Sequence, residues 1–273
     1  MTERTISVDN FGPIALALTM DAGSIRLAVD PTLKQARIVL TTEATSGPSA
    51  DAIRDTVVEQ SGQRVMVRVP DVEGSGGAGQ TTIQVGRNTM TFSGNSSGVS
   101  FVGGNVYVSG NRGGRVFING REVTADSAGD ASGPTPIEAT VYLPARSEAQ
   151  INTHSADTVV TGELARLDYD GYSGTVTAER IGTLDAGMTS GSIRIAEVTS
   201  SLAANLTSGN FTVGAYSGHD ARLTMTSGNV RMAATPQSSG RLAVDVTSGN
   251  ASITGAGHLN VRRRVTSGNV HIS

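Results

Sequence analysis

The sequence predicts an all-β fold, a single β-solenoid (or β-helix) with coils of about 19 residues. The main observation is a repeated tetrapeptide, Thr-Ser-Gly-Asn, which occurs at 207–210, 226–229, 247–250 and 266–269. Its start-to-start spacings are 19, 21 and 19 residues, and self-similarity at such a period is typical of repeat architectures. The composition agrees, because aromatic residues make up 4% of the chain and tryptophan is absent, which suits a thin aliphatic core.

The repeat continues toward the N-terminus in a weaker form. Thr-Ser-Gly-Ser stands at 189–192 and Tyr-Ser-Gly-Thr at 172–175. A second set of Gly and Ser markers lies about halfway between the main turns, at Gly182, Ser217-Gly218 and Ser239-Gly240. Each coil is therefore expected to contain two turns and two strands.

The strand after each main turn alternates apolar, polar, apolar, which is the period-2 pattern of a half-buried strand. Stacking would align the polar residues of these strands in one outward column: Arg194, Thr212, Arg231, Ser252 and His271. The opposite strand of each coil opens with a leucine, and these leucines are expected to lie one above another in the core: Leu184, Leu202, Leu223, Leu242 and Leu259.

The main turns are expected to be structural. Glycine supplies positive φ without steric cost, and asparagine tolerates left-handed geometry and bonds turn backbone. Stacked amide side chains could also bond between coils, as they do in stacked sheets. We therefore interpret one set of residues as turn formers rather than as a ligand site: Gly191, Gly209, Asn210, Gly228, Asn229, Gly249, Asn250, Gly268 and Asn269.

Three regions are predicted along the chain. Residues 1–70 form N-terminal solenoid coils with a short lateral helix at 49–60, for which Ser49 is the predicted N-cap. Residues 71–136 form a Gly-rich insertion with β-hairpin signals, and residues 137–273 form the regular repeat.

Three segments carry a family resemblance. They are the Gly-Ser-Ile-Arg strand at 23–26, a helix followed by a strand that ends in proline at 52–70, and the passage 137–144 that leads into the Ser-Gly repeats. With these features the chain resembles the bacterial putative-adhesin family of β-strand-repeat domains of unknown function. The resemblance leaves out residues 71–136; it implies a β-solenoid fold and supplies no active site.

Composition and charge exclude several classes of function. The formal net charge is −3, so neither nucleic acid nor an anionic membrane is an expected partner. The N-terminal residues lack the pattern of a secretory signal and no run is long enough to span a membrane, so a cytoplasmic location is expected. The four histidines are not spaced as metal ligands, and no cofactor is expected.

The weak candidates for catalysis are Asp168 and Asp185, which both follow a leucine and are expected to point outward in one column. On neighbouring coils they would lie about 5 Å apart, near the carboxylate separation of retaining glycosidases. The same column is expected to continue through four residues without a supporting cleft: Ala203, Thr224, Ala243 and Asn260. Solvated aspartates are therefore the preferred interpretation, and the protein is expected not to be an enzyme.

A basic run, Arg262, Arg263 and Arg264, is the main candidate for interaction, together with Arg231 and His271. It is either an anion or acidic-partner patch or, as we prefer, the exposed charges of a bulged final coil. Alternation between Val261 and Val265 turns Arg263 inward, which requires a bulge or an end open to water or a partner.

Unpaired strand edges at the C-terminal coil predict pairing with a second copy, with the insertion or with another protein. The leading functional hypothesis is a non-catalytic scaffold that presents a repetitive surface to protein partners. Two alternatives stay open at this point. One is a carbohydrate-active or carbohydrate-binding β-helix that uses the exposed aspartate face, and the other is a self-assembling structural element.

Overall fold

The computed structural model describes residues 1–72 and 135–273, together with the backbone of short strands between residues 80 and 123. The elements before residue 70 are β1 (Thr2–Phe11), β2 (Ala15–Thr19), β3 (Ala22–Val29), β4 (Gln35–Thr42), α1 (Pro48–Arg54), β5 (Val57–Ser61) and β6 (Arg64–Arg68). Between 80 and 123 lie β7 (Gln80–Val85), β8 (Asn88–Ser93), β9 (Gly98–Val102), β10 (Asn105–Ser109), β11 (Val116–Ile118) and β12 (Arg121–Val123). The remaining strands are β13 (Glu138–Leu143), β14 (Glu148–Thr153), β15 (Ser155–Gly171), β16 (Thr175–Tyr216), β17 (Asp220–Ala234), β18 (Arg241–Val246), β19 (Asn250–Thr254), β20 (Asn260–Val265) and β21 (Asn269–Ile272).

The repeat region is a β-solenoid, as the sequence predicts. Successive coils pair in parallel, β16 with β17, β17 with β18 and β19, and these with β20 and β21. Strands β15, β16 and β17 run around the corners of the coil, so each contributes to two faces. We call the face with β3, β13, β19 and β21 face A, and the face with β2, β14, β18 and β20 face B.

The N-terminal coil is interleaved with the start of the repeat. Strand β3 lies between β13 and β15 on face A, and β2 lies between β6 and β14 on face B. The chain leaves β13 on one side of the β2–β3 coil and returns in β14 on the other side. Spatial neighbours here are more than 100 residues apart in sequence, so no local pattern indicates this arrangement.

Antiparallel strands and a helix cover the N-terminal end of the solenoid. Strand β4 pairs antiparallel with β13 and β1 with β4, while β5 pairs antiparallel with β6. Helix α1 packs against β1 and β4 and buries Ala50, Ala52 and Ile53. The first coil edge is thereby protected from strand addition.

The predicted helix boundaries are wrong at both ends. The helix spans Pro48–Arg54 instead of 49–60, because Pro48 occupies its first turn and the β-branched residues after Thr56 extend into strand β5. Ser49 is not the N-cap, since it is buried within the first turn and its hydroxyl donates to the Thr135 carbonyl at 2.7 Å. Strand β1, which was not predicted from the sequence, pairs along most of β4.

Of the insertion predicted at 71–136, only strand pairings can be described. Strands β9 and β10 pair antiparallel, as do β11 and β12, in agreement with the predicted hairpins. Strands β7, β8, β11 and β12 form one four-stranded sheet. The turns and the remaining residues of 73–134 lie outside the described part of the chain.

The core is a continuous aliphatic column, but its register differs from the predicted one. Leu202 pairs with Ala221, and Leu223 pairs with Ala204, so Leu202, Leu223 and Leu242 do not all lie in one line. Leu223 is displaced by two residues along its strand and stays fully buried. A shift of two leaves every side chain on its original face, whereas a shift of one would turn the core outward.

Two tyrosines are buried in the core, Tyr169 and Tyr216. Burial raises the pKa of both phenols to about 12, because the charged phenolate loses its solvation. Unfolded tyrosines ionise near pH 10, so the unfolded chain loses these protons first as the pH rises.

We therefore expect the free energy of unfolding to fall as the pH rises from about 10 to about 12. Denaturation of Tyr169→Phe and Tyr216→Phe variants over this range tests the cause, since both substitutions should flatten the decline. A decline of unchanged steepness in the double variant would contradict it.

Candidate functional site

The main turns form a glycine column along the corner between faces B and A. Gly191, Gly209, Gly228, Gly249 and Gly268 all have φ between 122° and 137°, a region open to glycine alone. A Cβ at any of the five would overlap the carbonyl oxygen of the glycine one coil earlier. Glycine is therefore required at these positions both by the backbone conformation and by the close approach of the preceding coil.

The asparagines of the same turns form an amide ladder. Each side-chain amide donates to the side-chain oxygen Oδ1 of the asparagine one coil earlier. Asn229 donates to Asn210 at 3.1 Å, Asn250 to Asn229 at 3.2 Å and Asn269 to Asn250 at 3.3 Å. All four side chains are exposed, but each amide is engaged with its neighbour. This bonding gives the asparagines a structural role in joining consecutive coils.

Asn229→Ala removes two ladder bonds at once and should lower the free energy of unfolding by about 1 kcal/mol, because exposed side-chain hydrogen bonds have a modest net value. Asn205→Ala is the matched control, an exposed asparagine on face B that lies outside the ladder. Equal losses in urea denaturation of the two variants would contradict a role for the ladder.

The outward column predicted on face A is formed. Thr212 pairs with Arg231, Arg231 with Ser252, and Ser252 with His271, and all but Thr212 are exposed. The column is flat and mixed in chemistry. Arg231 and His271, proposed from the sequence for interaction, lie two coils apart on it.

Asp168 and Asp185 are direct partners in the register of β15 and β16 and point outward on face B. The Arg166 guanidinium lies 3.8 Å from the Asp168 carboxylate. Arg180, which is near Asp185 in sequence, instead contacts Glu197 at 2.6 Å and Glu163 at 3.8 Å. These carboxylates raise the pKa of Arg180, mainly through the hydrogen bond to Glu197. The aspartates therefore share a flat, solvated strand face rather than a cleft.

The predicted continuation of this column is wrong in two members. Thr224 and Asn260 do not belong to the column. Ala203 pairs with Arg222 where Thr224 was expected, and Ala243 pairs with Arg262 where Asn260 was expected. The cause is that Leu223 and Leu259, the leucines used to place these strands, each lie two residues from the predicted position. The aspartate column therefore ends in arginines, which the sequence pattern alone did not reveal.

The last coil is regular rather than bulged. Arg263 pairs with Val244, a fully buried core residue, and so occupies an inward-facing position at the open end of the solenoid. Arg262 and Arg264 point outward in line with Ala243 and Asp245. All six residues of β20 are exposed, so Arg263 keeps its hydration and the bulge expected from the sequence is unnecessary.

One surface feature was missed in the sequence. His154 and Tyr172 stack with ring centroids 4.8 Å apart and planes within 3°, and Tyr172 is 54% exposed. They border a depression of about 390 Å³ that Asn152 and Asp170 also line. The sequence did contain a signal for this contact. His154 and Tyr172 each precede a serine in equivalent turns of successive coils, so stacking the coils places one ring on the other.

Among the described residues, no group of three or more histidines, cysteines or carboxylates is placed to hold a metal ion. Across residues 1–72 and 135–273, no helix is long and apolar enough to cross a membrane.

Stacked turns, a continuous aliphatic core and flat strand faces define a β-solenoid repeat protein. The chain belongs to the Toastrack DUF4097 family, whose model matches residues 59–273. The match includes residues 71–136, which the expected resemblance left out, and it excludes the strand at 23–26. No curated protein matches the sequence significantly.

Several solved structures are similar along their whole length. One is a putative adhesin from Parabacteroides distasonis, with 12% identity, a TM-score of 0.36 and coverage of 100% of this chain and 96% of that one. Another is a putative cell adhesion protein from Clostridium sporogenes, with 8% identity, a TM-score of 0.33 and coverage of 100% and 99%. A putative adhesin from Parabacteroides merdae has 11% identity, a TM-score of 0.30 and coverage of 100% and 95%.

Proposed function

We propose that this protein is a non-catalytic scaffold that binds a protein partner by adding a strand of that partner to its C-terminal coil. The observation that carries the proposal is the open edge of β20 and β21. Within the part of the chain that the structure describes, β20 pairs only with β18 and β21 only with β19. Both strands therefore offer unpaired backbone groups to a further strand.

The orientation of the backbone groups follows from the parallel ladder. The N–H groups of Asn260 and Thr266 donate back to Gly240 and Val246 of the preceding coil. Because neighbouring residues of a strand direct their N–H groups to opposite sides, the N–H groups of Val261, Arg263 and Val265 face the open edge. Val261 and Val265 are 36% and 38% exposed there, which adds apolar surface for a partner.

Arg263 gives this edge its selectivity. It stands between the two valines in an inward-facing position and holds a positive charge above the end of the core. A depression of about 360 Å³ beside it is lined by Leu259 and Ile272. A strand with a carboxylate opposite Arg263 and apolar residues on both sides fits this edge, whereas another arginine-bearing edge is repelled.

The test is a pull-down from the source cell with three forms of the protein: wild type, Arg263→Pro and Arg263→Ala. Proline removes the outward N–H without breaking the existing ladder, while alanine removes only the charge. The proposal expects a partner that wild type retains, Arg263→Ala retains more weakly and Arg263→Pro loses. A partner that Arg263→Pro retains as strongly as wild type does would contradict it.

A carbohydrate-binding function is the second candidate, supported by the stacked His154–Tyr172 pair rather than by the aspartate column. An exposed aromatic face beside Asn152 and Asp170 can pack against a sugar ring while the polar groups bind its hydroxyls. Binding on a glycan array should then be lost in Tyr172→Ala and kept in Phe11→Ala, which removes another exposed aromatic. Signals that are equal in both variants would exclude this site.

The cytoplasmic location expected from the sequence stays a prediction, which cell fractionation would test.

A further inference from the structure

Face B is divided by charge along the solenoid axis. Its first part carries outward carboxylates on neighbouring coils, Asp168 and Asp170 on β15 and Asp185 on β16. Its last part carries outward guanidinium groups, Arg222, Arg262 and Arg264. In the column of Asp168 and Arg262 only Ala203 stands between the two parts, and each part also holds one opposite charge, Arg166 beside Asp168 and Asp245 beside Arg264.

The register fixes the spacing between the two ends. Asp168 pairs with Asp185, and the Ser201 hydroxyl donates to the Thr183 hydroxyl at 3.3 Å, which aligns Asp185 with Ala203 on the next coil. From Ala203 the column continues through Arg222 and Ala243 to Arg262, with one residue on each coil. The acidic and basic ends are thus separated by five strand spacings, or about 24 Å. The neighbouring column places Asp170 in the strand of Asp168 and Arg264 in the strand of Arg262.

The two ends match each other when a second copy is turned end for end. A two-fold axis parallel to the strands, between the coils of Ala203 and Arg222, places Asp168 opposite Arg262 and Asp170 opposite Arg264 of the other copy. The same operation repeats both pairs at the other end of the interface, because a two-fold contact is self-complementary. It also places Ala203 opposite Arg222 and Ala243 opposite Asp185, so each long or charged side chain in the middle of the interface faces an alanine.

The basic end also has a suitable shape. Arg222, Arg241, Arg262 and Arg264 border a shallow depression of about 600 Å³, and Ala221 and Ala243 lie among its lining residues. Two carboxylates, those of Asp220 and Asp245, also line it, and Asp220 is already engaged by Arg241 at 3.2 Å. Arg262, Arg264 and Asp170 are exposed, so these groups are accessible to a second copy.

We propose that face B forms an isologous dimer in which the carboxylates of one copy, Asp168 and Asp170, pair with Arg262 and Arg264 of the other. The dimer uses outward side chains on the face of β20, whereas the proposed partner binds the backbone edge of β20 and β21, so the dimer goes beyond the proposed partner-binding function. Six strands of about six residues bury about 1,100 Å² in total over the two copies, near the lower limit for a specific interface. The dimer is therefore expected to be weak and to dissociate as salt screens its charges.

Complementary charge reversal tests the dimer. The variant Asp168→Arg/Asp170→Arg opposes arginine to arginine at both ends of its own dimer, and Arg262→Asp/Arg264→Asp opposes aspartate to aspartate. Sedimentation at low salt should show each variant alone dimerising on the order of 100-fold more weakly than wild type. An equimolar mixture of the two variants should restore dimerisation, since every pair is then of opposite charge.

The control is Arg231→Asp, which reverses an exposed charge on face A and should leave the dimer unchanged. Arg263→Pro should also dimerise as wild type does, so loss of partner binding and loss of the dimer can be told apart. A wild type that is monomeric at every concentration at low salt would overturn the proposal. Failure of the mixed variants to associate, with each variant folded by circular dichroism, would overturn it equally.

Discussion

Gly228→Ala is expected to destabilise the solenoid more than any other single-methyl change in the repeat. Gly228 has φ of 126°, and its added methyl group would overlap the carbonyl oxygen of Gly209 in the preceding coil. Backbone strain and overpacking each cost about 1–3 kcal/mol, so the combined loss should exceed about 3 kcal/mol. Thermal and urea denaturation of the purified variant measure the loss.

Gly257→Ala is the matched control for this substitution. Gly257 does not have positive φ, and a methyl group there would meet no atom within 4 Å. Its stability should stay within about 0.5 kcal/mol of wild type. If the two variants unfold at the same temperature, the glycine column is not the close backbone contact described above.

Val244→Arg should have the second large effect, because Val244 is fully buried in the core of face B. An arginine there would be dehydrated and unpaired, with an expected loss above about 4 kcal/mol. The comparison is informative because the chain already carries Arg263 in the same column one coil later, where the end of the core is open to water. Position along the stack, rather than the pattern of the strand, decides whether the charge is tolerated.

Hydrogen exchange locates the damage in Val244→Arg. A solenoid responds locally, since each coil contacts only its neighbours. Amides of β18 to β21 should lose protection while those of β14 and β15 keep it. Thr224→Arg is the control, an outward position beside Asp245 that should tolerate the same side chain. Uniform loss of protection along the whole chain would show that the coils do not behave as a stack.

The repeat made most of the solenoid predictable. The spacing of the Thr-Ser-Gly-Asn turns and the alternation after them are both local signals, and they located the coils and the outward column of Arg231 and His271 correctly. The asparagine ladder follows from the same turns, because residues at equivalent positions must meet when coils stack.

The features that the sequence did not show depend on contacts between distant segments. Interleaving of the β2–β3 coil joins residues on either side of the 73–134 segment, and nothing local to either segment encodes the pairing. The predicted register of face B was wrong at Leu223 and Leu259, because a leucine marks the inward face but not its position along the strand. The charge division of face B was hidden by the same error, since Thr224 and Asn260 were placed where Arg222 and Arg262 stand.

The stacking register of face B is tested most directly by engineered disulfides, for which the absence of cysteine in the chain gives a clean background. Ala203 and Arg222 are paired outward neighbours, with an expected Cα separation of about 5 Å, whereas Ala203 and Thr224 are about 8 Å apart. Only the first distance is compatible with a disulfide. Under mild oxidation, Ala203→Cys/Arg222→Cys should therefore cross-link and Ala203→Cys/Thr224→Cys should stay reduced. Cross-linking of the second pair alone would contradict the stack of coils and the surfaces inferred from it.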